Sequence, residues 1–259
     1  MIDKMIDIVT TAGKLIVKES KDGSQGKWEG TQFKAKADQI AHEVLSRLLH
    51  QLEDIPIISE EDSSSLVDKR PKRYWLIDPI DGTASFVQGY SGFVTQVALM
   101  EENTPVRAAI FAPKLGSLYS AVKGEGAYHN GTRIFLQNKG SIKSLIDNYP
   151  HPSGLAKIVY DHFMCSAYIE CGSISLKICK VADGTADLFV KNVVVRDWDI
   201  AAPQLILEEA GGSLTDIEGK AFLYDKQYSN NGLVAANSFD HCKRVTKWYN
   251  SLVGKEKLE

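Results

Sequence analysis

The residues best suited to chemistry in this chain are carboxylates at three separated places. Glu60, Glu61 and Asp62 follow Ser59, Asp78 and Asp81 lie in the run Trp75 to Thr83, and Asp199 follows Trp198. Each group stands beside an apolar run, so folding carries it toward an interior. Buried carboxylates repel one another and lose hydration unless protons or cations neutralise them. Hard divalent cations, which take oxygen ligands, meet that need economically. Cations clustered by Asp and Glu suit attack on a phosphate ester. Such an ester is a dianion that repels hydroxide. Its hydrolysis needs charge cancelled, a nucleophile made at neutral pH and a leaving alkoxide protected.

These side chains need a scaffold. Ile2, Met5, Ile6, Val9, Ala12 and Ile16 recur at helical spacing and predict a helix over 2–20. The polar, Gly-rich run 24–34, with Trp28, reads as a surface loop. Asp38 reads as the N-cap of a second helix that carries Ile40, Ala41, Val44, Leu45, Leu48, Leu49 and Leu52. Strands are expected at 55–58, ending at the Glu60 carboxylates, and at 73–77, ending at Asp78. Further strands are expected at 93–100, 106–112 and 117–122, with turns at 101–103 and 114–116. The run 124–127 then closes this half. Downstream, helices are expected at 175–182, 199–210 and 239–252 and strands at 186–190 and 232–236. The first half suggests a mainly antiparallel sheet with two helices, and the second an α/β arrangement. The expected split is 1–140, carrying Glu60 and the Asp78–Thr83 loop, and 141–259, carrying Asp199.

The chain has 259 residues, is 44% hydrophobic and has a formal charge of −3. That charge gives no general attraction to a nucleic acid polymer. No apolar run reaches membrane-spanning length, and Asp3, Lys4 and Asp7 interrupt any signal-like start. A cytoplasmic protein with no membrane partner is expected. Cys165, Cys171, Cys179 and Cys242 contain no Cys-x-x-Cys pair, which argues against zinc and for free thiols.

The stretch Trp75 to Phe86, WLIDPIDGTASF, resembles the metal-binding signature of the inositol monophosphatase superfamily. Trp198 to Gly212, WDIAAPQLILEEAGG, is similar to its C-terminal signature, and SEED stands where the family keeps its first glutamate. The resemblance covers nearly the whole chain. It implies an α+β fold, the layered sandwich of the inositol monophosphatase and fructose bisphosphatase type. It also implies a Mg2+-dependent phosphomonoesterase with two or three cations per site. By that resemblance Glu60, Asp78, Asp81 and the carbonyl of Ile80 hold one cation, and Asp199 completes a second site with Asp78 and Asp81. Glu60 and Thr83 activate a water for direct in-line attack. Gly82 and Thr83 lead into a short helix whose N–H groups hold phosphate oxygens. The loop 24–34 corresponds to a mobile segment that approaches the metals. Asp38 corresponds to an aspartate that helps activate the water in some nucleotidases, although Lys34 and Ala35 replace the Val-Thr usual before it. Asp197, next to Asp199, reads as a solvated charge.

Within the superfamily, Ser175-Leu176-Lys177 resembles the Ser-Leu-Lys segment of the 3'(2'),5'-bisphosphate nucleotidases. Ser175 and Lys177 are therefore expected to bind substrate, with the Lys177 ammonium on a second phosphate. Lys180, Lys191 and Arg196 are weaker candidates for the same task. The expected substrate is a small phosphorylated metabolite, with the 3'-phosphate of adenosine 3',5'-bisphosphate first. The spacing of GSISLK and residues 141–171 keep an inositol-1-monophosphatase or other sugar-phosphate phosphatase open. A non-catalytic regulatory protein on the same fold is the alternative from another class. A homodimer is compatible with all of these.

Overall fold

The computed structural model describes residues 1–22, 30–137, 140–225 and 227–256. Two helices open the chain, α1 (Ile2–Asp22) and α2 (Gly30–Leu52). In α1 the side chains of Met5, Ile8, Val9, Ala12 and Ile16 are buried, the single apolar face that their spacing predicts. That face and Leu45 and Leu49 of α2 cover Trp75, Ile77, Val97, Leu99 and Phe111 of the first sheet.

The first sheet has seven strands in chain order: β1 (Ile57–Ser59), β2 (Arg73–Asp81), β3 (Val94–Glu101), β4 (Thr104–Ala112), β5 (Ser117–Val122), β6 (Gly126–His129) and β7 (Thr132–Ile134). β1 and β2 are parallel and the remaining pairs antiparallel. The short helix α3 (Thr83–Val87) follows β2 directly. All five strands expected in this half are present. The run 124–127 does not close the half; it is the turn into β6, with Gly124 and Gly126 both at positive φ.

The remaining elements are β8 (Ser144–Asp147), α4 (Gly154–His162), β9 (Ala167–Glu170), α5 (Ile174–Ala182), β10 (Leu188–Arg196), α6 (Asp197–Glu209), β11 (Ser213–Thr215), β12 (Ser229–Ala236) and α7 (Phe239–Glu256). Their strands form a mixed five-stranded sheet ordered β11-β12-β10-β8-β9. Side chains alternate across it as pleating requires. Leu188, Val190, Val234 and Ala236 meet α4 and α7, while Phe189, Leu233 and Ala235 join the core around α5 and α6. Leu76, Ala98, Met100 and Ile110 from the far face of the first sheet enter that same core. The layers therefore run α1 and α2, first sheet, α5 and α6, second sheet, α4 and α7. This is the expected α+β layered sandwich. The shared central layer explains why β3 and α6 read as apolar on every side: both are covered from two directions.

Five further expectations need correction. Asp38 is no N-cap, because α2 starts at Gly30 and carries Asp38 in its interior; the Lys and Ala residues before it favour helix and extend it upstream. Trp28 and the rest of 23–29 lie outside the described residues, and 30–34 are helical rather than loop. β2 does not end at Asp78 but runs to Asp81, and β10 runs to Arg196 rather than Val190. Asp197 is fully buried and not solvated.

Candidate active site

The register of the first sheet brings the acidic segments together. Ser59 pairs with Ile77 in the parallel β1–β2 ladder, so Glu60 leaves β1 beside Asp78. Asp62 caps the short 3-10 turn Ser63–Ser65 and accepts from Ser64 N at 3.0 Å, which bends the chain just after Glu60. His42 Nδ1 lies 2.9 Å from Ser59 Oγ and ties this turn to α2.

Asp78 and Asp81 are three residues apart. In a regular strand that spacing puts them on opposite faces. Here Asp78 pairs with Gln96 and Asp81 with Val94, so a three-residue step on β2 faces a two-residue step on β3. The extra residue is a β-bulge, and it returns both carboxylates to one side. Pro79 has no N–H to leave unpaired in the bulge. The hydroxyl of Thr95 donates to its carbonyl at 2.9 Å. Asp78 Oδ1 accepts from Ile80 N at 3.0 Å. Gly82 then turns the chain with φ of +89°, and a Cβ there would stand 2.7 Å from the carbonyl oxygen of Gly92. Only glycine serves at such a position.

Asp199 comes from the central layer. It lies in the first turn of α6, where its Oδ2 accepts from Arg196 N at 2.7 Å. One carboxylate oxygen each from Asp78, Asp81 and Asp199 lies within 4.8 Å of the others. Burial first, then Glu60 and Asp81, pushes the Asp78 carboxyl well above its ordinary range. Burial first, then Asp81, does the same to Asp199. Asp78 Oδ2 is buried and receives no hydrogen bond. An all-oxygen donor set of like charge, with an orphaned buried oxygen, fits hard divalent cations. Asp78, Asp81 and Asp199, with Glu60 reaching Asp78 from the rim, are the residues placed to hold them. The carbonyl of Ile80 accepts from the Thr83 hydroxyl at 3.1 Å and keeps a second lone pair.

The other expected residues fall differently. Ser175 does not face an open pocket. Its N–H donates to Asp81 Oδ2 at 2.7 Å and its hydroxyl to the Asp199 carbonyl at 2.8 Å. Ser175 thus supports the Asp81 carboxylate and the Asp199 backbone from behind. Lys177 is fully buried, over the Phe189 ring, with Nζ donating to Asn148 Oδ1 and 3.2 Å from the Gly172 carbonyl. Burial lowers its pKa to about 8. It stands behind the wall of the cleft, so a bound phosphate would not meet it directly. Asp38 is buried on the stretch of α2 whose Ala37 and Ala41 pack against Ile80 and Phe86, beneath the bulge.

Two clefts flank the carboxylates. One, of about 780 Å³, is lined by Gly82, Ala84, Ser85, Tyr90, Tyr149 and Lys180 among others. The second, of about 800 Å³, includes Glu60, Leu66, Arg196, Trp198 and Tyr228. Of the weaker cationic candidates, Lys180 lines the first cleft and lies 3.4 Å from Asp183, Arg196 lines the second, and Lys191 is bound to Asp147 at 2.8 Å.

Three further groups support the site. Ser173 caps α5 and its hydroxyl donates to Asp81 Oδ2 at 2.5 Å. Gln96 is a single amide in the buried run of β3, a signal visible in the sequence. Arg70 pairs with buried Asp197 and lies 4.1 Å over the Tyr228 ring, and nothing in its local sequence pointed to that partner.

Comparison with known proteins agrees with this geometry. Residues 1–256 match the model of the inositol monophosphatase family. The chain is 33% identical over 204 residues to a 3'(2'),5'-bisphosphate nucleotidase CysQ of Aggregatibacter actinomycetemcomitans, covering 75% of this chain and 76% of that one. It is 29% identical over 230 residues to the Nus factor SuhB of Pasteurella multocida, covering 85% and 86%. Among solved structures it is similar to the Thermotoga maritima IMPase, with a TM-score of 0.77, 25% identity and 98% of each chain covered. Together with the bulged carboxylate pair and the α6 aspartate, these matches establish that the chain belongs to the inositol monophosphatase family.

Proposed function

We propose that the protein is a Mg2+-dependent phosphomonoesterase whose preferred substrate is a nucleoside bisphosphate, with the 3'-phosphate of adenosine 3',5'-bisphosphate cleaved. The observation that carries the reaction class is the convergence of Asp78, Asp81 and Asp199 beside the Gly82 turn. Similarity to a curated bisphosphate nucleotidase supports the substrate. Divalent cations in this cluster, when bound, would neutralise the phosphate dianion and lower the pKa of the attacking water.

The chain's own residues do the rest. Asp78, Asp81 and Asp199 provide the negative charge that concentrates the cations. The turn at Gly82 and Thr83 presents backbone N–H groups to the phosphate oxygens. Thr83 gives its hydroxyl hydrogen to the Ile80 carbonyl, so its oxygen is left to accept a hydrogen bond from the water. Glu60, on the rim, receives the proton that the water loses. The ester's leaving group extends into the cleft beyond Ser85, where Tyr90 and Tyr149 offer ring faces and Lys180, rather than the enclosed Lys177, offers charge.

Thr83→Ala is expected to lower kcat with little change in KM, because the lost contact is to the nucleophile and not to the substrate. A rise in KM alone would make Thr83 a binding residue. The substrate reading is tested by kcat/KM for adenosine 3',5'-bisphosphate, inositol 1-phosphate, fructose 1,6-bisphosphate and a mononucleotide. The first should lead. Preference for inositol 1-phosphate would replace the nucleotidase reading with the monophosphatase one, which the end-to-end match to the Thermotoga maritima IMPase favours.

A further inference from the structure

The geometry points to Gln96 as the residue that fixes the spacing between the β2 carboxylates and Asp199. This inference rests on the cation-binding reading of the site. Gln96 is buried, and it pairs across the sheet with Asp78. Its amide nitrogen donates to Ser175 Oγ and to the Trp198 carbonyl, each at 2.7 Å. Both amide hydrogens are therefore used, one on each helix of the central layer.

The direction of these bonds is settled by a proline. In a regular helix the N–H of residue 203 would donate to the carbonyl of Asp199. Pro203 has no N–H, so that carbonyl is left open inside the helix. The hydroxyl of Ser175 fills the place, donating to Asp199 O at 2.8 Å. With its own hydrogen committed, Ser175 Oγ must accept from Gln96. An ordered chain results: Gln96 on the first sheet, Ser175 on α5, Asp199 on α6. Ser175 also gives its backbone N–H to the Asp81 carboxylate at 2.7 Å, so the same residue holds the side chain of one metal ligand and the backbone carbonyl of another. Gln96 is thus a positioning residue for the metal ligands. It touches neither substrate nor cation, and its side chain crosses between the sheet and the two helices whose separation sets the size of the cluster.

Gln96→Met keeps the length and volume of the side chain and removes both donors. The experiment follows thermal unfolding of the chelator-treated chain during titration with MgCl2, for the wild type, Gln96→Met and Gln96→Asn, with kcat and KM measured alongside. Partners that orient metal ligands typically contribute roughly ten- to a hundredfold to metal affinity. Gln96→Met is therefore expected to raise the half-saturating Mg2+ roughly tenfold or more. Its kcat at subsaturating Mg2+ should fall, and high Mg2+ should recover much of the loss. Gln96→Asn is one methylene shorter, cannot span both acceptors, and should shift the Mg2+ response in the same direction. Adding Ser175→Ala to Gln96→Met should change the Mg2+ response less than Ser175→Ala does alone, since the chain is already cut. Unchanged half-saturation in the folded variants, or a loss of stability that is equal with and without Mg2+, would overturn the assignment. So would failure of both Gln96 variants to fold. A wild type that Mg2+ does not stabilise would instead sink the cation reading itself.

Discussion

Asp199→Asn is expected to lower phosphate release by roughly a hundredfold or more while raising the melting temperature of the cation-free protein. The two effects share one cause. Asp199 is held in place for a charge that the folded apoprotein must tolerate without compensation. Losing a ligand that stabilises transition-state charge removes about 3 kcal/mol or more of catalysis, by the scale for metal-assisted hydrolysis. The amide keeps an acceptor for Arg196 N, so local geometry survives. It also ends the repulsion with Asp81 that helps push the Asp199 carboxyl up. A gain of several degrees is the usual scale for relief of one such conflict in a chain of this size. The pH dependence follows in sign. Asp78 and Asp199 titrate above their ordinary range when folded and return to it on unfolding. Their stabilising contribution is complete below the unfolded value, about 4, and is lost as pH rises through the folded one. In chelator, the wild-type melting temperature should therefore fall as pH rises above about 4, and Asp199→Asn should show a shallower fall. Saturating Mg2+ should flatten the wild-type curve, because cations bind the deprotonated form. Differential scanning calorimetry across pH checks all three statements. A lower melting temperature for Asp199→Asn in chelator would count against a strained cluster.

Arg70→Met should be the most destabilising single change among the polar residues near the site. Arg70 and Asp197 are almost wholly buried, at 1% and 0% side-chain exposure. Asn230 adds a hydrogen bond to Asp197 at 2.8 Å, and Arg70 reaches Tyr74 at 3.2 Å. Burial holds the Asp197 carboxyl above its ordinary value even with the guanidinium beside it. Removing the arginine strands a buried carboxylate, which typically costs about 3–5 kcal/mol. The double variant Arg70→Met/Asp197→Leu removes both charges and should recover much of that loss. Urea unfolding of the single and double variants measures the difference. Equal destabilisation in both would mean that packing of Arg70 on Tyr228, and not the charge pair, carries the effect.

Much of this architecture was legible because it repeats. The face of α1 follows a periodic apolar pattern and β3 to β5 are short apolar runs bounded by turn residues, and signals of both kinds report their own burial. The carboxylates were legible because the motifs hold them at fixed spacing. What the sequence withheld depends on partners distant along the chain. Asp38 looks like a cap because Asp before an apolar periodic run is the usual signal, yet helix-forming residues upstream extend α2 past it. Asp197 looks solvated because Arg70 lies 127 positions away. Lys177 looks like an anion-binding lysine until Asn148, Gly172 and Phe189 are seen to enclose it. The strand beyond Asp78 and its bulge at Pro79 are hidden, since a single strand does not show the register of its neighbour. The role of Ser175 follows only from the conjunction of Pro203 and an open carbonyl on another helix.

In the proposed function, phosphate ester hydrolysis depends on divalent cations held by these carboxylates. Its most direct test titrates MgCl2 into chelator-treated protein with adenosine 3',5'-bisphosphate and follows inorganic phosphate, for the wild type and for Asp81→Asn. The wild type should show no release above background in chelator and a saturable rise with Mg2+. Asp81→Asn that retains wild-type circular dichroism should show almost none at any Mg2+ concentration. Full-rate release in chelator, or undiminished release by folded Asp81→Asn, would contradict it.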